Sequence, residues 1–373
     1  MRLQVQGWRG IHHSYALVNQ FHMLAWLDQG VSLVHTDQAS PFADIQQSGL
    51  SANDEARLQH IPSDGPADAV YRIWAPLDLR TPVQRPTVTY AVTEFGLSDA
   101  LRQPEDLAAY FGEGGLIHTP SHWSKDRLLA WGMPAAQVHV IPHAVHPAYF
   151  HPLQSAHIAR MRQALDYQPD DVVLLNVGAH FWNKGTDLLV KAFALARAKN
   201  KHLKLLFKDQ TAYTGSSTRS QVIKHLHAIG HHQPETVAAI RVMDTQLSLQ
   251  QLNSLYNLAD AYVTPYRAEG FNLPACEAQA CGTPVIATQG GATDDFLQGN
   301  AANHFIAGTR HENTALRADL TRNAHIEPQL DALVALMENL GRKTAVTPTA
   351  ATQPDRSWHP PAARLLKLLT TGA

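Results

Sequence analysis

AYVTPYRAEGFNLPACEAQACGTPVIATQGG, residues Ala261 to Gly291, is the stretch whose reading decides the fold. It opens on a strand-like run, Ala261 to Pro265, that breaks into a loop at Tyr266 to Leu273. Pro274 suits the first turn of a helix, where a missing N–H is no loss. The helix carries Ala275 to Ala280 and stops near Gly282. A second β-rich run, Pro284 to Thr288, leads into Gly290-Gly291. Two strand–loop–helix junctions therefore lie back to back. Each offers backbone N–H groups at a helix N-terminus, an arrangement suited to phosphate or a sugar hydroxyl. Two carboxylates stand in the stretch with seven residues between them, Glu269 in the loop and Glu277 in the first turns of the helix. A carboxylate near a helix N-terminus is favoured electrostatically, and it accepts well from the paired hydroxyls of a ribose or hexose. Taken alone, such a pair more often caps a helix and decorates a loop.

The neighbours change that balance. EGFNLPACEAQACGTPVIAT, Glu269 to Thr288, resembles the E-x7-E signature of retaining glycosyltransferases with the GT-B fold. The nearest likeness is to family 4 (glycosyl transferases group 1), whose wording runs close to EGFGLPxxEAMAxGxPVIAT. Further segments follow in the family's order, covering roughly residues 115–297: PSHWSKDRLLAWG from Pro120, VIPHAV from Val140 and GAHFWNKG from Gly178. The resemblance implies an α/β chain with the GT-B fold. Two Rossmann-like domains would present parallel sheets to a cleft, and a C-terminal helix would cross back to the first domain.

Outward from the signature, the alternation of strands and helices agrees with this expectation. Toward the N-terminus, Leu3–Val5, Val31–Val34, Val70–Trp74, Thr87–Thr93 and Leu116–Pro120 read as strands. Ser14 is a candidate N-cap for a helix over Tyr15–Leu27, and Ser121 for one over His122–Trp131 that Gly132 ends. VHVIPHAVHPAYFHP, from Val138, resembles the family's crossover between domains. In the second half, Val172–Val177, Leu203–Phe207, Ile240–Met243 and His304–Ile306 read as strands. The helices expected there are Lys184–Ala198, Ser217–Ile229, Leu249–Ala259 capped by Ser248, and Gln329–Leu340. Thr344 to Pro354 has linker composition, and Arg364–Leu369 closes the chain as a helix. The expected domains are 1–148, acceptor-binding; 149–345, binding the nucleotide sugar; and 346–373, a linker and a helix returning to the first domain.

Position by position, the resemblance makes Glu269 and Lys184 the catalytic pair. Glu269 would hold a hydroxyl of the donor sugar and Lys184 would contact the diphosphate. Glu277 would accept from the ribose hydroxyls. Backbone N–H groups of Gly270, Phe271 and Asn272 would line the sugar, and those of Gly290, Gly291 and Ala292 would add to the charge stabilisation. Two departures stand out. Asn272 occupies a position where glycine is usual, and Ala179 one where a diphosphate-binding arginine is usual. Losing that arginine weakens leaving-group stabilisation by roughly a few kcal/mol, unless His180, Arg9 or Arg267 replaces it. In the first loop, GWRG is not a dinucleotide fingerprint. By resemblance, Gly7, Gly10, His12 and His13 are candidates near the acceptor. Glu94 joins them because it follows a strand, at the end where open α/β sheets place ligands.

The implied chemistry is front-face transfer of a hexose from a UDP- or GDP-sugar, with retention. The departing phosphate oxygen takes the acceptor's proton, and no side-chain nucleophile is needed. No DxD-type metal motif is required in this fold, so metal independence and no cofactor beyond the nucleotide-sugar co-substrate are expected. The acceptor is a hydroxyl on a glycan, a lipid-linked carrier or another molecule.

Composition is compatible. The 373 residues suggest two or three domains. Lys plus Arg (30) nearly balances Asp plus Glu (32), so no bulk charge points to nucleic acid. Cys276 and Cys281 are the two cysteines, at a spacing that makes neither a redox nor a zinc site. They read as buried thiols of a cytoplasmic protein. No apolar run is long enough to span a bilayer, and no signal-peptide core follows Met1. Peripheral attachment to a membrane's inner face stays open, as does the oligomeric state. Two other readings stay open: a GT-B-shaped binding or scaffold protein that has lost turnover, which Ala179 motivates, and a nucleotide-sugar epimerase, of which E-x7-E is not the signature.

Overall fold

The computed structural model describes residues 1–39, 48–80, 83, 85–101, 103–209, 217–343 and 357–371. The linker read at Thr344–Pro354 lies outside the described residues. The chain forms two compact units. The first comprises Met1–His146, Glu312–Ala324 and Pro354–Ala373, and the second Pro147–His311 and His325–Gln353. Residues 312–324, placed by sequence in the second domain, thus group with the first unit.

The first unit runs β1 (Arg2–Gly7), α1 (Ser14–Asp28), β2 (Ser32–Asp37), α2 (Ala52–Gln59), β3 (Ala69–Ile73), β4 (Thr87–Tyr90), α3 (Pro104–Gly112), β5 (Leu116–Thr119), α4 (His122–Trp131) and β6 (Val138–Val140). Its strands form one parallel sheet in the order β2-β1-β3-β4-β5-β6. Helix α1 is buried from Ala16 to Trp26, as expected of a helix covered on more than one face. Its N-cap is His13, whose Nδ1 accepts from the Tyr15 N–H at 3.2 Å, and not the expected Ser14. Ser121 caps α4 as expected, accepting from the Ser124 N–H at 3.0 Å.

The second unit runs α5 (Ser155–Ala164), β7 (Val172–Val177), α6 (Thr186–Arg197), β8 (Leu203–Lys208), α7 (Thr218–Ala228), α8 (Pro234–Ala238), β9 (Ile240–Met243), α9 (Leu249–Leu258), β10 (Ala261–Thr264), α10 (Leu273–Ala280), β11 (Val285–Thr288), α11 (Asp294–Leu297) and β12 (His304–Ile306). The chain then passes through the paired strands β13 (Gly308–Glu312) and β14 (Ala324–Pro328) into α12 (Leu330–Glu338). It ends in α13 (His359–Thr371), which packs on α1 within the first unit, where the Trp26 indole N–H donates to the Ala362 carbonyl at 3.0 Å.

The second sheet is also parallel, in the order β12-β11-β10-β7-β8-β9. One face carries an aliphatic core of Val172, Leu174, Leu205, Phe207, Ala261, Val263 and Ile286 against α6, α7 and α12. Alternation along a strand turns the intervening residues, Leu175, Val177, Lys208, Tyr262 and Thr264, to the opposite face. The helices missed by sequence are α2, α3, α5 and α8, which are short and each fully bury one side chain, Leu58, Tyr110, Arg162 and Thr236 respectively.

Candidate donor-binding site

The strand order of the second sheet reverses between β7 and β10. From β7 the chain winds outward through β8 and β9, then returns to β10 on the other side. Open α/β sheets bind ligands outside the carboxyl ends of the strands at such a switch point. Both decisive side chains issue from it. Lys184 lies in the turn after β7 and Glu269 in the loop after β10, and Lys184 Nζ donates to Glu269 Oε1 at 2.7 Å. Glu269 is buried while Lys184 keeps about a quarter of its side chain exposed (28%). The two loops are also joined through the backbone, Arg267 N–H donating to the Asn183 carbonyl at 2.6 Å. Gly185 makes this approach possible: it sits at φ 69°, and any side chain there would collide with the Pro265 carbonyl.

Asn272 occupies the left-handed region at φ 77°, ψ 69°, which explains why glycine is the common residue there and asparagine an acceptable one. Its carbonyl oxygen caps α10, accepting from the Ala275 N–H at 3.1 Å. Its amide nitrogen donates to Thr264 Oγ1 at 3.0 Å and approaches Glu269 Oε1 at 3.4 Å. The substitution thus adds a cap and a support for Glu269. Glu277 is buried on α10 and accepts from the Tyr256 hydroxyl at 2.6 Å. Burial raises its pKa to about 7, against a smaller lowering by that hydrogen bond. Burial, followed by the nearby carboxylates, also keeps Tyr256 and Tyr262 protonated far above their ordinary range. Phe271 is buried against Phe296, ring centroids 4.9 Å apart, and Gly270 beside it is also buried.

Other candidates are placed differently. The Gly290 N–H donates to Asp294 Oδ2 at 3.0 Å, so the chain's own carboxylate occupies it. Gly291 serves packing: a Cβ there would lie 2.5 Å from the Tyr266 hydroxyl, which accepts from the Thr293 N–H at 3.3 Å. His180 is buried. Its Nδ1 bonds to Thr186 Oγ1 at 2.9 Å, its ring meets Phe207 edge-on, and burial lowers its pKa to about 4 despite Asp209. It is therefore a neutral packing group that brings no positive charge to replace an arginine.

Arg267 does not replace it either. Its five N–H groups go to Glu327, Asp187 and the Trp182 carbonyl, at 2.6–3.0 Å, while its guanidinium stacks 4.6 Å from the Trp182 ring. Such a bidentate network is structural. Arg9 is likewise engaged, with both Asp37 oxygens and the Leu58 carbonyl.

In the first unit the strand order reverses between β1 and β3. Gly7 ends β1 there, packed against Ile73 and Asn19. Gly10 donates its N–H to Gln20 Oε1 at 2.8 Å. His13 caps α1 and is held neutral, its pKa lowered to about 4 by burial and then by His12. Glu94 accepts from the Trp123 indole through its backbone carbonyl at 2.7 Å, and its charge, after burial, raises the pKa of Tyr15. Gly7, Gly10, His12 and His13 thus lie at or after the end of β1, and Glu94 after β4, two strands away in the same sheet. Sequence reasoning missed Tyr256, Tyr262 and Asn183, because each acts through a partner far along the chain.

Two such parallel α/β units define the GT-B class, and the comparisons agree. The solved structure of Anabaena Alr3699/HepE in complex with UDP and glucose aligns with a TM-score of 0.63 at 13% identity, over 100% of this chain and 96% of that one. WaaG, a glycosyltransferase involved in lipopolysaccharide biosynthesis, aligns with a TM-score of 0.58 at 13% identity, over 99% and 100%. Residues 171–322 match the family described as glycosyl transferases group 1. The D-inositol 3-phosphate glycosyltransferase of Acidothermus cellulolyticus is 29% identical over 238 residues, 59% of this chain and 52% of that protein. The protein of that name from Kineococcus radiotolerans is 30% identical over 269 residues, 66% and 56%. The chain spans about half the length of the curated relatives it matches.

Among the described residues, no group of three or more His, Cys, Asp or Glu is placed to hold a metal ion, and no helix is long and apolar enough to cross a membrane.

Proposed function

We propose that this chain transfers a hexose from a UDP- or GDP-sugar to an acceptor hydroxyl, with retention of configuration and without a metal. The observation that carries the reading is the Lys184–Glu269 pair at 2.7 Å, drawn from loops 85 residues apart to one switch point. In this reading the bond from C1 to the phosphate oxygen breaks while the acceptor oxygen bonds C1 on the same face. The acceptor's proton goes to the departing phosphate oxygen. Lys184 offsets the charge that grows on the diphosphate, the role in which preorganised cations contribute most. Glu269 holds a sugar hydroxyl, and Glu277 accepts from the ribose. The acceptor is a glycan, lipid-linked or other hydroxyl compound, and action at the cytoplasmic side of a membrane is compatible with the proposal.

A second reading, a binding protein without turnover, is favoured by one observation. Ala179 stands in the arginine position while Arg267 and Arg9 are both engaged elsewhere. Calorimetry with UDP and GDP, with and without magnesium, followed by transfer assays from the matching sugar, separates the two. Transfer that is indifferent to magnesium and that falls roughly 10²–10³-fold in Glu269→Ala supports the enzyme. Nucleotide binding without sugar transfer to any acceptor moves the binding protein to first place.

A further inference from the structure

The carboxyl edge of the second sheet holds one more cation. Lys208 is the last residue of β8, paired with Val177 of β7 and with Met243 of β9. It is buried, 6% exposed. Its ammonium donates to the Asp209 carbonyl, and among the described residues no carboxylate lies within ion-pair distance of it. An ammonium has three donors, and a buried charge without a counter-ion is costly. Burial accordingly lowers its pKa, with Asp209 and then Asp244 pulling the other way.

The direction of the side chain matters. Phe207 belongs to the aliphatic face of the sheet, so Lys208 turns to the opposite face, shared with Val177, Tyr262 and Thr264. That face also borders Glu277, through Tyr256 and Tyr262, and Asn272, through Thr264. Asp209 points back with Phe207, toward His180, 3.9 Å from its Nε2, so its carboxylate does not cover the Lys208 ammonium. β8 lies next to β7 and two strand spacings from β10, roughly 10 Å. A diphosphate lying across the switch point is of that scale.

We propose that Lys208 binds the diphosphate of the donor, supplying the positive charge that Ala179 does not. This rests on the donor reading above. A diphosphate offsets the unpaired ammonium, and the ammonium adds a second cation to Lys184 at the leaving group. The sequence puts the lysine at a strand end, but only the sheet order shows which strand end and which face.

The test is calorimetry on the full chain with UDP, GDP, uridine and guanosine, comparing wild type with Lys208→Met and Lys208→Arg. Methionine keeps the stem volume without the charge, and thermal unfolding checks that each variant is folded. The expected result is a loss of tenfold or more in nucleoside diphosphate affinity for Lys208→Met. Nucleoside affinity would be unchanged, and Lys208→Arg would restore most of the loss. Unchanged diphosphate affinity in a folded Lys208→Met overturns the assignment of Lys208 alone, as does an equal loss for the nucleoside. Wild type without affinity for either diphosphate overturns the donor reading, and this assignment with it.

Discussion

The two units share a scaffold and differ in what fills it. Both are six-stranded parallel sheets, but the strand order reverses between β1 and β3 in the first and between β7 and β10 in the second. The second packs one face with aliphatic side chains and places charges at both edges of its sheet: Lys184, Glu269 and Glu277 toward the carboxyl ends of the strands, and the buried Arg162–Asp260 pair, 3.0 Å apart, at the start of β10. The first buries titratable rings in its centre. His22, His118 and His143 lie among Tyr71, Tyr90, Trp26 and Trp358, with Tyr71 and Tyr90 hydrogen-bonded to His118 and His143 at 3.0 and 2.9 Å. One topology thus supports either a dry core with a charged rim or a core that responds to protons. The side chains, not the strand order, decide which.

The largest expected effect that tests this contrast is acid lability greater in the first unit, since the comparably depressed buried imidazole of the second unit is His180. Burial holds His118 at a pKa of about 4 and pushes His22 and His143 well below the ordinary value of 6.5. Their folded pKa values are depressed, so the unfolded chain binds protons first. The stability they allow is full above pH 6.5 and is lost as pH falls toward 4. For His118 alone this amounts to about 3 kcal/mol. Peptide-resolved hydrogen exchange should show α1, β3, β5 and α13 losing protection between pH 6.5 and 4.5. Equal loss in β7 and β8 would break the contrast.

Glu277 should give the second unit the opposite slope. Its folded pKa is raised to about 7 from 4.5, so its burial costs nothing at low pH and weakens the fold as pH rises through 7. Glu277→Gln keeps an acceptor for Tyr256 and removes the charge. It should stabilise the protein by up to about 3 kcal/mol at pH 8, and by little at pH 4.5, while nucleotide affinity falls. Stabilisation independent of pH would show that the carboxylate is not the cause.

Arg267→Met sharpens the distinction between framework and ligand charges. It leaves Asp187 and Glu327 unpaired, and since both are partly exposed, the cost should be about 2 kcal/mol in thermal unfolding. Nucleoside diphosphate affinity well below the midpoint should stay within threefold. A collapse of affinity without loss of stability would place Arg267 in the site.

The smallest effect is expected at Asn272. Glycine there keeps the left-handed backbone and loses the cap, which costs a few tenths of a kcal/mol. Alanine loses both and should cost about 1–2 kcal/mol. Equal losses in thermal unfolding would mean that the backbone conformation contributes nothing.

The legible features are those whose partners lie close along the chain. Val172–Val177, Ile240–Met243 and His304–Ile306 have the expected bounds, because a buried strand and the two half-buried edge strands alike read as short, largely apolar runs between turn residues. Pro274 and Gly282 bracket α10 for local backbone reasons, and the spacing of Glu269 and Glu277 is a property of one loop and one helix. The Ser14 cap was misplaced by one residue because an imidazole can accept where a hydroxyl was expected.

By itself, then, the sequence determined the α/β alternation, the turn chemistry and the E-x7-E carboxylates. Each is set by bonds and sterics within a few residues. Tertiary structure alone decided which charges are available. Lys184 and Glu269 meet across 85 residues, and Arg267 is engaged by Asp187 and Glu327, 80 and 60 residues away. The Gly290 N–H donates to Asp294, and Lys208 faces the candidate site because of its strand's place in the sheet. A charge acts through what surrounds it in space, and that surrounding is assembled only when distant strands come together.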